Sequence, residues 1–123
     1  MDETIKVLII EDNRYARETI KNGLSDLNYY FVEATSGEQA LALINRQSFD
    51  AIILDIGLPG ISGLEVLSGA KEVAPDLAPV IVLTGHLDSS IEKEAQRIGV
   101  FAYLTKAPLQ IDELRHFIIE ATS

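Results

Sequence analysis

Five short, mostly apolar runs alternate along this chain with five segments in which apolar residues recur every three or four positions. The apolar runs span residues 6–10, 31–34, 51–54, 80–83 and 101–104. Runs this short and continuous are typical of strands buried on both faces, whereas the recurring spacing is typical of helices with one buried stripe. Such short strand-and-helix units are joined by right-handed crossovers, which predicts an α/β fold with a five-stranded parallel sheet between two layers of helices.

Residues at the expected helix ends agree with this division. Three pairs fit the capping-box spacing, in which a serine is followed three residues later by Glu or Gln: Ser36 with Gln39, Ser62 with Glu65, and Ser89 with Glu92. Gly99 suits the end of the fourth helix, because glycine readily adopts a positive φ. The chain of 123 residues contains no linker or repeat, so we expect a single domain over residues 1–123.

Composition excludes several classes of function. Nineteen acidic residues against ten basic ones give a net charge of −9, so most of the surface would repel a polyanion and direct nucleic-acid binding is not expected. The absence of cysteine excludes a disulfide scaffold, a thiolate zinc site and a cysteine nucleophile. We find no signal-peptide pattern and no apolar run near the ~18 residues that a bilayer requires, so we expect a soluble cytoplasmic protein without membrane insertion.

Polar residues and glycines follow four of the predicted strands, at the edge where functional groups gather in an open parallel sheet. They are Glu11, Asp12 and Asn13, then Asp55 and Gly57, then Thr84, Gly85 and His86, and finally Thr105 and Lys106. Like charges at Glu11, Asp12 and Asp55 oppose one another's ionisation unless a cation compensates, and oxygen ligands suit Mg²⁺. Lys106 and the Thr84 hydroxyl can hold phosphoryl oxygens beside that ion. The four strand ends therefore predict a site for phosphoryl capture.

In the order and spacing of its motifs, the chain resembles the receiver domains of bacterial two-component response regulators. The resemblance lies in the segments KVLIIEDN, LDIGLPGISGLEVL, VIVLTG and AYLTK, and it covers essentially the whole chain. It implies a flavodoxin-like, doubly wound fold of (βα)5 arrangement with strand order 2-1-3-4-5. It also implies a protein that accepts a phosphoryl group from a sensor histidine kinase or a phosphotransfer protein and is not an enzyme with a substrate of its own.

The same resemblance implies a role for each strand-end residue. Asp55 is expected to be the phosphoacceptor, which attacks a phosphohistidine or a small phosphodonor to form an aspartyl phosphate. Thr84 and Lys106 are expected to hold the transferred group. The expected magnesium site consists of Asp12 and Asp55 as direct ligands, the backbone carbonyl of Gly57, and Glu11 acting through water.

The resemblance further implies a switch and two partner surfaces. Thr84 is expected to move toward the phosphoryl group while Tyr103 turns inward, with simple packing as the alternative role for this tyrosine. The fourth helix, fifth strand and fifth helix would then signal to a downstream protein or output domain, or form a homodimer on activation. Arg14, Arg17 and Lys21 lie on one side of the first helix, where family members meet the kinase, and a solvated helical face explains them nearly as well.

The chain departs from the family pattern near two of these residues. Ala107 stands between Lys106 and Pro108, where the family usually has proline directly after the lysine. Gly57 and His86 occupy positions that in the family tune how readily water attacks the aspartyl phosphate. The alternative function is therefore a degenerate receiver, in which the inserted residue misplaces the lysine and the domain acts as an unphosphorylated protein-interaction module.

Two other classes of protein fit the residues less well. A flavodoxin would carry an uncharged, hydroxyl-rich loop after its first strand, where this chain has Glu11 and Asp12. A phosphatase of the haloacid-dehalogenase type needs a second acid two residues after its nucleophile, where this chain has Gly57. No output segment follows Ser123, so we expect either a stand-alone regulator or a receiver from a longer protein.

Overall fold

The computed structural model describes residues 4–85, 88–106 and 108–123. The strands are β1 (Ile5–Ile10), β2 (Tyr29–Ala34), β3 (Ala51–Asp55), β4 (Val80–Thr84) and β5 (Ala102–Thr105). The helices are α1 (Arg14–Gly23), α2 (Gly37–Arg46), α3 (Gly63–Val73), α4 (Ser89–Ile98) and α5 (Ile111–Ala121). The predicted alternation of strands and helices is thus confirmed, with small shifts at the strand ends. None of the helices within these ranges is both long and apolar enough to cross a membrane.

The five strands form one parallel sheet in the order β2-β1-β3-β4-β5, which confirms the predicted order. The chain first moves outward from β1 to β2 and then returns to the other side of β1, so the strand order reverses between β1 and β3. In the register of the sheet, Ile10 pairs with Leu54, and Thr84 pairs with Thr105. The carboxyl ends of β1, β3, β4 and β5 therefore share one edge, next to the reversal point.

The core has two layers, one on each face of the sheet. Leu8, Ile52 and Val82 belong to the layer under α2, α3 and α4, whereas Ile9 and Ile53 belong to the layer under α1 and α5. Every residue of β3 and β4 is buried, as their continuous apolar runs predict. Each fully buried aliphatic side chain stabilises the fold by roughly 1.5–3 kcal/mol, so the central strands hold the site's framework rigidly.

Helix ends agree with the predicted caps except at α4. Ser36 and Ser62 are the N-caps of α2 and α3, with a complete capping box at Ser62. The predicted cap at Ser89 is wrong, because Asp88 is the N-cap and its carboxylate accepts the N–H groups of the second and third helical residues. Gly99 ends α4 with a positive φ of 117°. Asp88 also lines the open cavity beside Asp55.

Candidate functional site

Three buried polar residues lie at the carboxyl edge of the sheet. Within the part of the chain that the structure describes, the buried polar residues are Glu11, Asp55 and Thr84, which are 2%, 5% and 3% exposed. All three belong to the set that the sequence analysis singled out at strand ends. Burying carboxylates costs free energy unless they are paired or hydrogen-bonded, so this edge contains groups that packing alone does not favour.

Three carboxylates converge at this edge. Glu11, Asp12 and Asp55 each present an oxygen atom, and these atoms all lie within 4.8 Å of one another. Asp12 is exposed at the rim, while the other two residues are buried. The donors are all hard oxygen atoms, which fit Mg²⁺ in number and type and do not suit zinc. The Gly57 N–H donates to Oδ1 of Asp55 over 3.0 Å and so orients that carboxylate.

Lys106 reaches the carboxylates in spite of the residue inserted after it. Its Nζ lies 3.1 Å from Oδ2 of Asp55 and also forms an ion pair with Oε1 of Glu11. The Lys106 N–H donates to the carbonyl of Thr84 over 2.8 Å, which extends the pairing of β4 with β5 by one residue. Leu109 then forms an isolated antiparallel bridge with Lys106, so the backbone is anchored on both sides of the insertion.

Two residues that were predicted to affect the site lie outside the residues that the structure describes. These are Ala107, the inserted residue, and His86, which was predicted to affect hydrolysis of the aspartyl phosphate. The alternative function assumed that the insertion of Ala107 moves Lys106 away from the site. In the structure, Nζ of Lys106 lies 3.1 Å from Oδ2 of Asp55.

Burial and charge shift the ionisation of the paired groups. Burial raises the pKa of Glu11, and the negative charge of Asp55 adds to this, while hydrogen bonds from Lys106 and the Asn13 N–H oppose it. Burial by itself would lower the pKa of Lys106, but Glu11 and Asp55 outweigh burial and raise the pKa above that of an ordinary lysine. Lys106 therefore keeps its positive charge at neutral pH and partly neutralises the carboxylates.

An open cavity of about 480 Å³ lies next to Asp55. Its wall includes Gly57, Thr84, Gly85 and Lys106. A Cβ atom added at Gly85 would meet no atom within 4 Å, and one added at Gly57 would meet only Oδ1 of Asp55, at 3.6 Å. The two glycines thus leave the approach to the carboxylate open, with room for a phosphoryl group and the end of its donor.

Tyr103 lies on β5, on the same face of the sheet as Val82, and packs against the core layer that also contains Ala95 of α4. Its hydroxyl is buried and has no hydrogen-bond partner of good geometry among the described residues. Burial raises the pKa of Tyr103; the Thr84 side chain is close enough to lower it in part, while Glu92 and Asp88 raise it further. The structure therefore places the predicted switch pair of Thr84 and Tyr103 next to each other.

Arg17 contacts the site, a role that sequence reasoning missed. It was interpreted as part of a basic face of α1 that is solvated or meets the kinase, yet its side chain is only 14% exposed. Its guanidinium group donates to the backbone carbonyls of Glu11 and Asp12. The signal available in the sequence was its position one turn into the helix that follows these acids. Lys21, from the same predicted face, pairs with Glu33.

Comparison with known proteins gives a consistent result. The family model of the response regulator receiver domain matches residues 7–119 of the chain. Response regulator MprA of Mycolicibacterium vanbaalenii is 36% identical over 111 residues, which are 89% of this chain and 47% of that protein. The chain therefore spans about half the length of this curated relative.

Solved structures resemble the chain over nearly its whole length. A CheY-like response regulator receiver domain protein from Methanospirillum hungatei JF-1 superposes with a TM-score of 0.89 at 26% identity, covering 98% of this chain and 94% of that one. A response regulator from Burkholderia pseudomallei, crystallised with a phosphorylated aspartic acid, a calcium ion and citrate, gives a TM-score of 0.81 at 28% identity. That alignment covers 97% of this chain and 66% of the other.

Proposed function

The chain belongs to the response regulator receiver domain family, and on this premise we propose that it accepts a phosphoryl group on Asp55 in a magnesium-dependent reaction. The observation that carries the proposal is the surroundings of Asp55, which is buried, with Nζ of Lys106 3.1 Å from Oδ2 and with the oxygens of Glu11 and Asp12 close by. The relative from Burkholderia pseudomallei, with its phosphorylated aspartic acid and calcium ion, supports the same chemistry here.

The proposed reaction is an in-line transfer. A carboxylate oxygen of Asp55 attacks phosphorus, and the leaving group departs with the electron pair of the bond that breaks, through a loose transition state. Lys106 neutralises charge on the phosphoryl oxygens, and Thr84 donates a hydrogen bond to one of them. Mg²⁺ held by Asp12, Asp55 and the Gly57 carbonyl, with Glu11 acting through water, would supply further neutralisation of that charge.

The proposed output is a change in the face formed by α4, β5 and α5. Thr84 moves toward the phosphoryl group, and Tyr103 follows into the space that this movement opens. Shifting a two-state equilibrium from 1:99 to 99:1 requires about 5.5 kcal/mol of differential interaction. Two or three hydrogen bonds to the charged phosphoryl group, at roughly 1.5–3 kcal/mol each, are sufficient.

The partners in this proposal follow from family membership. The donor is a sensor histidine kinase or a phosphotransfer protein, and the recipient of the signal is a downstream protein, an output domain or a second copy of the chain. Residues 1–123 act as one receiver unit, in the cytoplasm, with no direct contact with nucleic acid and no turnover of an independent substrate.

Intact-protein mass spectrometry after incubation with acetyl phosphate and MgCl₂ tests the proposal. We expect a phosphoryl adduct in the wild type, none in Asp55→Asn, and none in the wild type when EDTA replaces magnesium. Asp76→Asn is the matched control, because Asp76 is an exposed carboxylate that does not line the cavity beside Asp55, and it should still be labelled. A folded wild type that takes no adduct would instead favour the unphosphorylated interaction module.

A further inference from the structure

Arg17 connects the loop after β1 to the end of β2. Its Nη1 donates to the carbonyl oxygen of Glu11 over 2.9 Å and to that of Asp12 over 3.1 Å. Its Nε donates to Oε1 of Glu33 over 2.9 Å. The Arg17 side chain is 14% exposed, and its guanidinium group holds the backbone that carries two of the three converging carboxylates.

One peptide unit relays this contact to the Glu11 side chain. The carbonyl of Asp12 and the N–H of Asn13 belong to the same peptide bond, which is planar. The carbonyl accepts from Arg17, and the N–H donates to Oε2 of Glu11 over 3.1 Å. Because the two ends of a rigid plane turn together, the orientation that Arg17 imposes on the carbonyl also aims the N–H at the Glu11 carboxylate.

The positive charge of Arg17 is balanced locally. Glu33 accepts from Arg17 and also pairs with Nζ of Lys21 at 3.1 Å. Lys21 pairs in turn with Glu18 at 3.1 Å, so two carboxylates balance the two cations. Burial by itself would raise the pKa of Glu33, but hydrogen bonds from Lys21 and Arg17 outweigh burial and lower the pKa. Glu33 is therefore ionised at neutral pH, so Arg17 can order the acidic loop with little repulsion of a divalent cation nearby.

We propose that Arg17 is a positioning residue for the magnesium site. It acts on the metal ligands through their backbone, by fixing the Glu11 and Asp12 carbonyls and, through the Asn13 N–H, the Glu11 carboxylate. The inference rests on the proposed function for the identity of the ion. Groups that orient metal ligands by hydrogen bonds typically change metal affinity by 10- to 100-fold when they are replaced.

Isothermal titration of MgCl₂ into the unphosphorylated protein tests this role. We expect Arg17→Met to bind Mg²⁺ about tenfold more weakly than the wild type. Lys21→Met is the matched control, since Lys21 shares the Glu33 carboxylate but makes no hydrogen bond to the loop carbonyls, and its Mg²⁺ affinity should be unchanged. The backbone amide resonance of Asn13 should shift in Arg17→Met and stay in place in Lys21→Met.

A positioning role also predicts how phosphorylation depends on magnesium. Arg17→Met should need more Mg²⁺ for half-maximal labelling by acetyl phosphate and reach the wild-type rate at saturation. Should Arg17→Met fold poorly in a thermal melt, Arg17→Lys replaces it, because one ammonium group in place of the planar fork does not reproduce both carbonyl contacts and the Glu33 pair. We expect weaker Mg²⁺ binding in that variant too.

The outcomes separate this inference from the proposed function. Wild-type Mg²⁺ affinity in folded Arg17→Met or Arg17→Lys, or an equal loss in Lys21→Met, overturns the role of Arg17 and leaves the phosphoacceptor intact. A wild type that binds Mg²⁺ but takes no phosphoryl group overturns the phosphoacceptor, while the comparison of variants still decides the role of Arg17. A wild type that binds no Mg²⁺ overturns both.

Discussion

Replacing Lys106 by methionine removes the cation that pairs with two buried carboxylates. Nζ of Lys106 lies 3.1 Å from Asp55 and also contacts Glu11, and these residues are only 5% and 2% exposed. Removing one partner of a buried ion pair costs roughly 3–5 kcal/mol, because the remaining charge stays buried and uncompensated. Lys106 is itself 22% exposed, so we expect the lower end, about 3 kcal/mol.

The loss of stability in Lys106→Met should become smaller when magnesium is added. For a chain of this size, about 3 kcal/mol corresponds to a fall of roughly 10 °C in Tm, measured by circular dichroism in EDTA. Millimolar MgCl₂ should raise the Tm of Lys106→Met more than that of the wild type, because the ion supplies the missing positive charge and no longer competes with the lysine for Glu11.

Lys93→Met is the control for this experiment, because Lys93 is exposed on α4. Its Tm should match the wild type with and without MgCl₂. Lys106→Met with wild-type stability in EDTA would refute the claim that the lysine compensates the buried carboxylates. A stability loss that MgCl₂ leaves unchanged would refute the claim that ion and lysine neutralise the same charges.

Two further predictions concern single polar groups of the site. The folded-state pKa of Glu11 is raised, chiefly by burial, so its ionisation opposes folding and stability is lost as the pH rises through that pKa. In EDTA, Glu11→Gln should therefore be more stable than the wild type at pH 7. This advantage should shrink as the pH falls toward 4.5, the ordinary pKa of a glutamate. Urea denaturation across this pH range measures the difference in the free energy of unfolding, and a difference that does not change with pH contradicts the prediction. The Tyr103 hydroxyl is buried without a hydrogen bond of good geometry. Tyr103→Phe should therefore leave the free energy of unfolding, measured by urea denaturation, unchanged or raise it by about 1 kcal/mol. A decrease of similar size would show that the hydroxyl has a hydrogen-bond partner.

Local pattern was sufficient to predict most of the architecture. The apolar runs of β3 and β4 indicated strands buried on both faces, and all their residues are buried. Strand order came from resemblance to the family, and the sheet has that order. Prediction failed at the start of α4, where Asp88 and Ser89 compete as caps. Spacing alone does not choose between adjacent residues that can both accept the same N–H groups.

The site shows the same division between local and long-range information. Parallel strands bring their carboxyl ends to one edge, so the sequence alone indicated that Glu11 and Asp55 would meet. The partners of those carboxylates depended on the packed structure, because Lys106 lies 95 positions from Glu11 and its reach depends on the bridge that anchors the loop after β5. Arg17 was equally hidden from the sequence.

The spacing of apolar residues was sufficient to predict the number and type of the elements and the edge at which the acidic groups gather, because this spacing shows which faces are buried. The packed fold was needed to establish the ion pairs of Lys106, the burial of the Tyr103 hydroxyl and the contacts of Arg17 with the acidic loop. Hydrogen bonds and ion pairs act over a few ångströms, and groups far apart in the chain come within that distance only after the two layers of helices have packed on the sheet.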